Sequence, residues 1–340
     1  MTGIFRFGAL ADGSPVDAVG MEGGGLSATI LTHGAVLQDL RLAGHRPPLV
    51  LGFERLDAYL AHSPFFGATA GRCANRIRDG RFTLDGRDYQ LDRNFLGKHH
   101  LHGGSANIGK RLWTLEDAAA DRVTLSIRLA DGEMGYPGAM TIRQVLSLPG
   151  DGVLDIQLEA RSDAPTLCNL AHHSYFNLDG TDTILDHELQ VAADHYLPVD
   201  AELIPTGEIA PVDGHPFDFR RPRRLRAVCG SAAIDHNFCL ANRRREITHV
   251  ATLRAPLSGI SMDIRTTEPG LQVYDGGPLD VPVKGLDGRR MGAHAGLALE
   301  PQVWPDAINH PAFPQPVLRP GETWRQHTQF VFRKGNGGRS

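Results

Sequence analysis

The sequence has only four cysteines in 340 residues, Cys73, Cys168, Cys229 and Cys239, and no two of them stand at the short spacing of a CxxC pair. That spacing argues against a structural zinc site and fits reduced thiols in a reducing compartment. No apolar run reaches the 18 residues that a membrane span requires. The N-terminal Met-Thr-Gly-Ile-Phe-Arg-Phe-Gly puts no basic region ahead of an apolar core, so no secretory signal is expected and the cytoplasm is the plain reading. Positive charge is not in excess either. A net charge of -4 and a pI near 6.5 provide no field to gather phosphates, so neither nucleic acid nor a membrane surface is an expected partner. The cluster Arg220, Arg221, Arg223, Arg224 and Arg226 is flanked by proline and lacks interleaved aromatics, and it reads as a solvated loop. A GxSxG elbow, a P-loop, a GxGxxG ahead of a helix and an HExxH are all missing, which removes the commonest nucleophilic, nucleotide and zinc-hydrolase chemistries. The lone Gly23-Gly24-Gly25 has no strand-to-helix context that would make it a phosphate cradle.

Helical periodicity is scarce as well. Glu54 to Ala61 has the length for two turns, and little else does. What the chain has instead is alternation. Val123, Leu125, Ile127 and Leu129 alternate with polar residues, as do Leu154, Ile156 and Leu158, and Leu271 and Val273. Successive side chains on a strand point to opposite faces, so each run covers a core with one face. Asp-Gly pairs, among them those beginning at Asp85, Asp131, Asp151, Asp179, Asp213 and Asp287, mark turns of the kind that needs positive φ. With 39 glycines and 22 prolines a helical bundle is excluded, and no fixed-period repeat suggests a propeller or solenoid. The expectation is all-β: one large antiparallel β-sandwich over residues 1–333 with few short helices, then a flexible tail at 334–340.

The chemistry that remains is acid–base. Leu297 and Leu299 alternate up to Glu300, and Pro-Gln-Val-Trp-Pro-Asp follows at once, so a strand end hands one carboxylate into a polar, aromatic loop. Other candidates are His102, His173, Arg76, Asp235 and Gln272. Each has a bland alternative: a charged surface strand end for Glu300, a buried structural ring for His173, a tight turn for His102, a salt bridge for Arg76, a turn acceptor for Asp235 and mere exposure for Gln272.

Five ordered motifs carry a family resemblance. They are Gly71-Arg-Cys-Ala-Asn-Arg-Ile77, Leu101-His-Gly-Gly104, Asn169-Leu-Ala-His-His-Ser-Tyr-Phe-Asn-Leu178, Asp235-His-Asn-Phe238 and Leu299-Glu-Pro-Gln-Val-Trp-Pro-Asp306. Together they resemble the aldose 1-epimerases (galactose mutarotases), in the family's order and over nearly the whole chain. The resemblance implies a galactose mutarotase-like supersandwich, hence an isomerase that interconverts the α and β anomers of a free aldose. It further implies Glu300 as general base on the anomeric hydroxyl, and His173 as general acid at the ring oxygen with His102 assisting. Asn75, Arg76, Asp235 and Gln272 would hold the sugar hydroxyls. No metal, other cofactor or covalent nucleophile is needed for such a reaction, and a monomer acting on a small sugar is the default. A reference histidine pKa of about 6.5 leaves most of the acid uncharged at neutral pH. A carboxylate beside His173, Asp235 or Glu300 itself, is therefore expected to favour its protonated form. Family members often carry Asn where this chain has His172, which is expected to alter the pocket rim or the pH profile.

Three rivals remain. His100 and His102, two apart on a strand, would join His173 and Glu300 in a cupin-like metal site. A non-catalytic carbohydrate-binding protein would use the same fold. An epimerase of a phosphorylated hexose would need a cationic pocket that the sequence does not locate.

Overall fold

The computed structural model describes residues 2–230 and 232–335. Its largest sheet has nine antiparallel strands. Their order in space is Thr114–Ala118, Arg122–Leu129, Met140–Gly150, Val153–Ser162, Trp324–Lys334, Ile260–Thr266, Thr248–Ala255, Glu188–Val191 and Arg223–Arg224. A six-stranded antiparallel sheet packs over it, ordered Tyr175–Phe176, Leu297–Gln302, Gly270–Tyr274, Asp235–Cys239, His195–Tyr196 and Ala210–Pro211. A four-stranded N-terminal meander (Gly3–Ala9, Pro15–Gly23, Leu26–Leu31 and Val36–Leu42) extends the layer. This is the large all-β sandwich that alternation implied. Only two α-helices occur among the described residues, Leu56–His62 and Arg226–Cys229. The first is the short helix expected near Glu54–Ala61. Among the described residues no helix is long and apolar enough to cross a membrane.

The alternating runs do what a two-layer fold requires. Leu154, Ile156 and Leu158, with Phe330 and Phe332 from the paired strand, bury one face of the nine-stranded sheet. Leu271, Val273, Leu297, Leu299 and Phe238 meet them from the six-stranded sheet in the same core. The other face of the six-stranded sheet carries the residues between these: Gln272, Tyr274, Asp235, Ala298 and Glu300.

Two of the Asp-Gly pairs close two-residue hairpins, where both positions need positive φ. Asp85 and Gly86 (φ 49° and 76°) join strands paired Leu84 to Arg87, and Asp151 and Gly152 (φ 50° and 70°) join strands paired Gly150 to Val153. The others shape longer loops, where the aspartate serves as an acceptor. Asp131, for instance, takes the Gly138 amide at 2.6 Å, and Asp287 takes the Arg41 guanidinium. The arginine cluster is mostly exposed, and Arg220 is tied to Asp213 and Asp218, but it is not all loop as expected: Arg223 and Arg224 pair with Leu189 and Glu188 as an edge strand, and Arg226 begins the second helix. At the other end the strand outlasts the expected boundary. Lys334 ends the Trp324–Lys334 strand, and Gly335 donates to Gly259 O at 2.8 Å. Residues 336–340 of the expected tail lie outside the described residues.

Candidate active site

Register brings the site together. Glu300 is paired directly with Gln272, and Gln272 with Asn237, so three polar side chains stand in a row across neighbouring strands on one face. Asp235, two residues before Asn237, shares that face. The expected strand end is displaced: the strand runs to Gln302, so Glu300 lies within it and is only 2% exposed. A paired strand on both sides holds a catalytic group more rigidly than a loop would. The residues after it brace rather than line the site. Trp304 Nε1 donates to Pro269 O, Asp306 accepts the Arg78 amide, and Asn169 clasps Val303 through both its amide atoms.

His173 arrives on the short strand Ala171–His173, and its Nε2 stands 3.4 Å from Glu300 Oε1. His102 arrives by a different route. The strand His100–Leu101 ends and His102 takes φ 52°, which turns its ring towards His173 with centroids 5.2 Å apart. Its Nδ1 accepts the Asn75 amide at 3.1 Å, so its proton sits on Nε2. Gly103 makes this approach possible, because a Cβ there would fall 1.8 Å from Gly71 O.

The same left-handed residue breaks the alternation on which a metal site with His100 depended. His100 faces away, with Nε2 2.7 Å from the Tyr136 hydroxyl and Nδ1 2.7 Å from Asp92 O. His102, His173 and Glu300 alone converge, with one donor atom of each within 4.8 Å of the others.

Beside His173 and Glu300 lies a fixed polar array. Arg76 Nη2 meets Asp235 Oδ2 at 3.0 Å, and Gln272 Nε2 donates to Asp235 Oδ1 at 2.6 Å. Arg76 is thus in a salt bridge, Asp235 lies in a strand rather than a turn, and Gln272 is buried rather than exposed. Buried polar atoms normally have partners. Here Arg76 Nε, Gln272 Oε1 and Glu300 Oε2 have none among the described residues. Asn75 is buried beside them, with φ 62° and its Oδ1 turned to the Arg76 amide.

Burial controls the electrostatics. It drives the Glu300 carboxyl well above the ordinary carboxylate range, with Asp235 pushing the same way and Arg76 opposing. It also depresses His173 to about 4. The expected carboxylate effect exists, since Asp235 pulls His173 upward, but desolvation outweighs it. His102 falls well below 6.5, chiefly from burial and then from His173.

Aromatic walls account for that dryness, and reading the sequence missed them. Phe65, at φ 70°, stacks on His173 (5.8 Å, 23°) and lies 4.6 Å from His102. Tyr175 also stacks on His173, at 5.1 Å, and Tyr274 packs edge-on against Tyr175. Tyr175 stood inside one of the motifs that carry the family resemblance, and Tyr274 immediately follows the alternating Leu271 and Val273. Phe65 had no local signal, because a loop conformation places it. Replacing Phe65 with Leu is expected to admit water, raise the His173 pKa and move the acid limb of the pH–rate profile to higher pH. The loss of one aromatic contact worth about 0.5–1.5 kcal/mol predicts a fall in kcat/KM of roughly two- to tenfold. Polarimetric rates from pH 4 to 8 check both, and an unmoved acid limb would remove Phe65 from the site.

His172 is not on the pocket rim. Adjacent residues of a strand face opposite ways, so it points into the sandwich core, where Nε2 lies 2.7 Å from Ser174 Oγ and the ring packs 6.1 Å from Phe330.

The sequence profile of the aldose 1-epimerase family matches residues 17–331. The chain belongs to that family. Galactose mutarotase from Rattus norvegicus is 42% identical over 335 residues, covering 96% of this chain and 97% of its own. Aldose 1-epimerase from Escherichia coli K12 is 33% identical, covering 94% and 96%. Among solved structures, an aldose epimerase homologue from C. elegans superposes with a TM-score of 0.87 at 32% identity, covering 93% of this chain and 99% of that one. Galactose 1-epimerase from Lactobacillus acidophilus gives 0.86 at 27% identity, covering 98% and 99%. The activity of this aldose 1-epimerase family member is mutarotation, the isomerisation of aldose anomers.

Proposed function

We propose that Glu300 and His173 carry the proton transfers of mutarotation on a free aldose, with galactose the first candidate. The observation that carries this reading is the pair itself: a carboxylate and an imidazole 3.4 Å apart, both buried, at the edge of an array of unpartnered polar atoms. Burial favours the neutral pair, so the productive state is reached when one proton crosses the 3.4 Å from Glu300 to His173, leaving Glu300 ionised and His173 protonated. Glu300 takes the proton of the anomeric hydroxyl as His173 gives one to the ring oxygen, the bond from C1 to that oxygen breaks, and an open-chain aldehyde forms. Rotation about C1–C2 presents the other carbonyl face, and the two transfers reverse to close the ring. No atom is gained or lost, and the pair ends in its starting state. General acid–base catalysis of this kind requires each group within about 3 Å of its proton.

Asp235, Arg76, Gln272 and Asn75 hold the sugar hydroxyls in this reading, and His102 supports the ring oxygen through its Nε2 proton. Galactose suits the site because the curated relatives near 40% identity carry that sugar in their names. A neutral sugar suits it because the Arg76 guanidinium is already committed to Asp235, which leaves it poorly placed to balance a phosphate.

Polarimetry of freshly dissolved α-D-galactose and α-D-glucose tests the reading. Both should approach anomeric equilibrium faster with the protein, galactose with the higher kcat/KM, and the rate should fall on both sides of a pH optimum. A sugar-phosphate turned over in preference to either, or a profile with no limb on either side, overturns it.

A further inference from the structure

We propose a second polar centre, at Cys229, Asp275 and His294, that binds a single divalent cation of zinc type with solvent completing its coordination. The three residues come from separate segments: the end of the Arg226–Cys229 helix, the residue after the Gly270–Tyr274 strand, and the loop leading into Leu297–Gln302. One donor atom from each lies within 4.8 Å of the other two. Sulfur, carboxylate oxygen and imidazole nitrogen are the donors zinc takes, at about 2.0–2.3 Å each, and three protein ligands with one open position form a known arrangement.

The centre has a rigid member and two adaptable ones. Asp275 is buried, and its carboxylate is oriented by backbone amides, Ile234 N to Oδ2 at 3.0 Å and Gly277 N to Oδ1 at 2.8 Å. Each oxygen keeps a further lone pair. Cys229 and His294 are half-buried, so an ion can reach them and the side chains can close the remaining distance. His294 already points inward, with Nδ1 3.9 Å from Asp275 Oδ1; that nitrogen now donates to Asp275 O at 3.2 Å, and ligation through it shifts the ring proton to Nε2. Gly277 leaves the space: a Cβ there would lie 3.2 Å from both Asp275 Oδ1 and His294 Cε1.

Burial, and then Asp275, push the Cys229 thiol up to about 12. The cation therefore binds by exchange, the metal–sulfur bond replacing S–H and one proton passing to solvent. Bound there, it ties the helix and the His294 loop to the turn at 274–277. Asp275 pairs through its backbone with Ile234, immediately before Asp235, so the tie braces the base of the strands that present the sugar face.

Cobalt(II) is the probe, titrated into the full chain under reducing conditions. The expected result is one equivalent bound with a near-ultraviolet thiolate-to-cobalt charge-transfer band, about one proton released, and zinc displacing the cobalt and raising the melting temperature. The band should vanish in Cys229→Ser, persist in Cys239→Ser and in Glu300→Gln, and need about tenfold or more cobalt in His294→Gln. Cys229→Ser should keep wild-type mutarotation. Because His102, His173 and Glu300 offer no sulfur, cobalt at the catalytic pair cannot give that band. No band in the wild type, or a band that survives Cys229→Ser, overturns the site and leaves the thiol as a hydrogen-bond donor to Asp275. Failure of the sugar assay would leave this result standing.

Discussion

Glu300→Gln should abolish most of the catalysis while leaving the protein at least as stable. The substitution keeps the side chain's length and shape and removes only its capacity to take a proton. General-base contributions run to about 10²–10⁴-fold, so polarimetry on α-D-galactose should show kcat reduced by that factor with KM changed far less. The stability half of the prediction follows from the same geometry. Glu300 is fully enclosed, its Oε2 has no partner among the described residues, and burial together with Asp235 disfavours its charge. An uncompensated buried ionisable group costs stability, and a neutral isostere relieves that cost. The melting temperature of Glu300→Gln should therefore equal or exceed that of the wild type at pH 7.5. Strain of this kind is typical of groups kept for chemistry rather than for folding. Wild-type kcat in the variant would sink the assignment of Glu300 as base. A lowered melting temperature would show that the carboxylate serves the fold.

How much of this was legible in the sequence depends on which physical rule fixed each residue. Where the period-two rule governed, reading was direct: Leu271 and Val273 go to the core, so Gln272 and Tyr274 go to the opposite face. Where a positive φ intervened, the rule failed. His102 and Phe65 both lie in the left-handed region, and each is turned out of the direction an extended chain would give it. This detached His100 from the site, brought Phe65 into it, and left no periodic trace of either. His172 failed for the opposite reason. A departure from the family's usual residue drew attention to the pocket, yet strict alternation with His173 sends it to the core. The electrostatics were least accessible. A neighbouring carboxylate was foreseen, but the desolvation that outweighs it comes from Phe65, Tyr175 and the sheet beneath, contacts between residues far apart in sequence.

Desolvated histidines also set how the protein responds to acid. Burial depresses His172 to about 3, and His100, His187 and His236 to about 4. In the unfolded chain each titrates near 6.5. A folded-state pKa below the unfolded one means that the unfolded state binds more protons between the two values. Stability is therefore complete above about pH 6.5 and is lost as pH falls towards 4. At pH 5 each such group forfeits roughly 2 kcal/mol, and four together forfeit on the order of 8 kcal/mol, comparable with a typical folding free energy of about 5–15 kcal/mol. Glu300 and Asp39, both raised, act in the opposite direction but are outnumbered. Urea unfolding at pH 7.5, 6 and 5 should thus show a steep loss of midpoint before most carboxylates titrate. His172→Asn isolates one member. The smaller side chain costs packing at every pH, but it removes one proton from the balance. Its stability relative to wild type should rise by about 1.4 kcal/mol for each pH unit between 6 and 4. Because the ring faces Phe330 rather than the sugar, the ratio of galactose to glucose kcat/KM should stay unchanged. A relative stability that does not vary with pH would show that His172 is already charged in the folded core, and an altered sugar ratio would return it to the pocket.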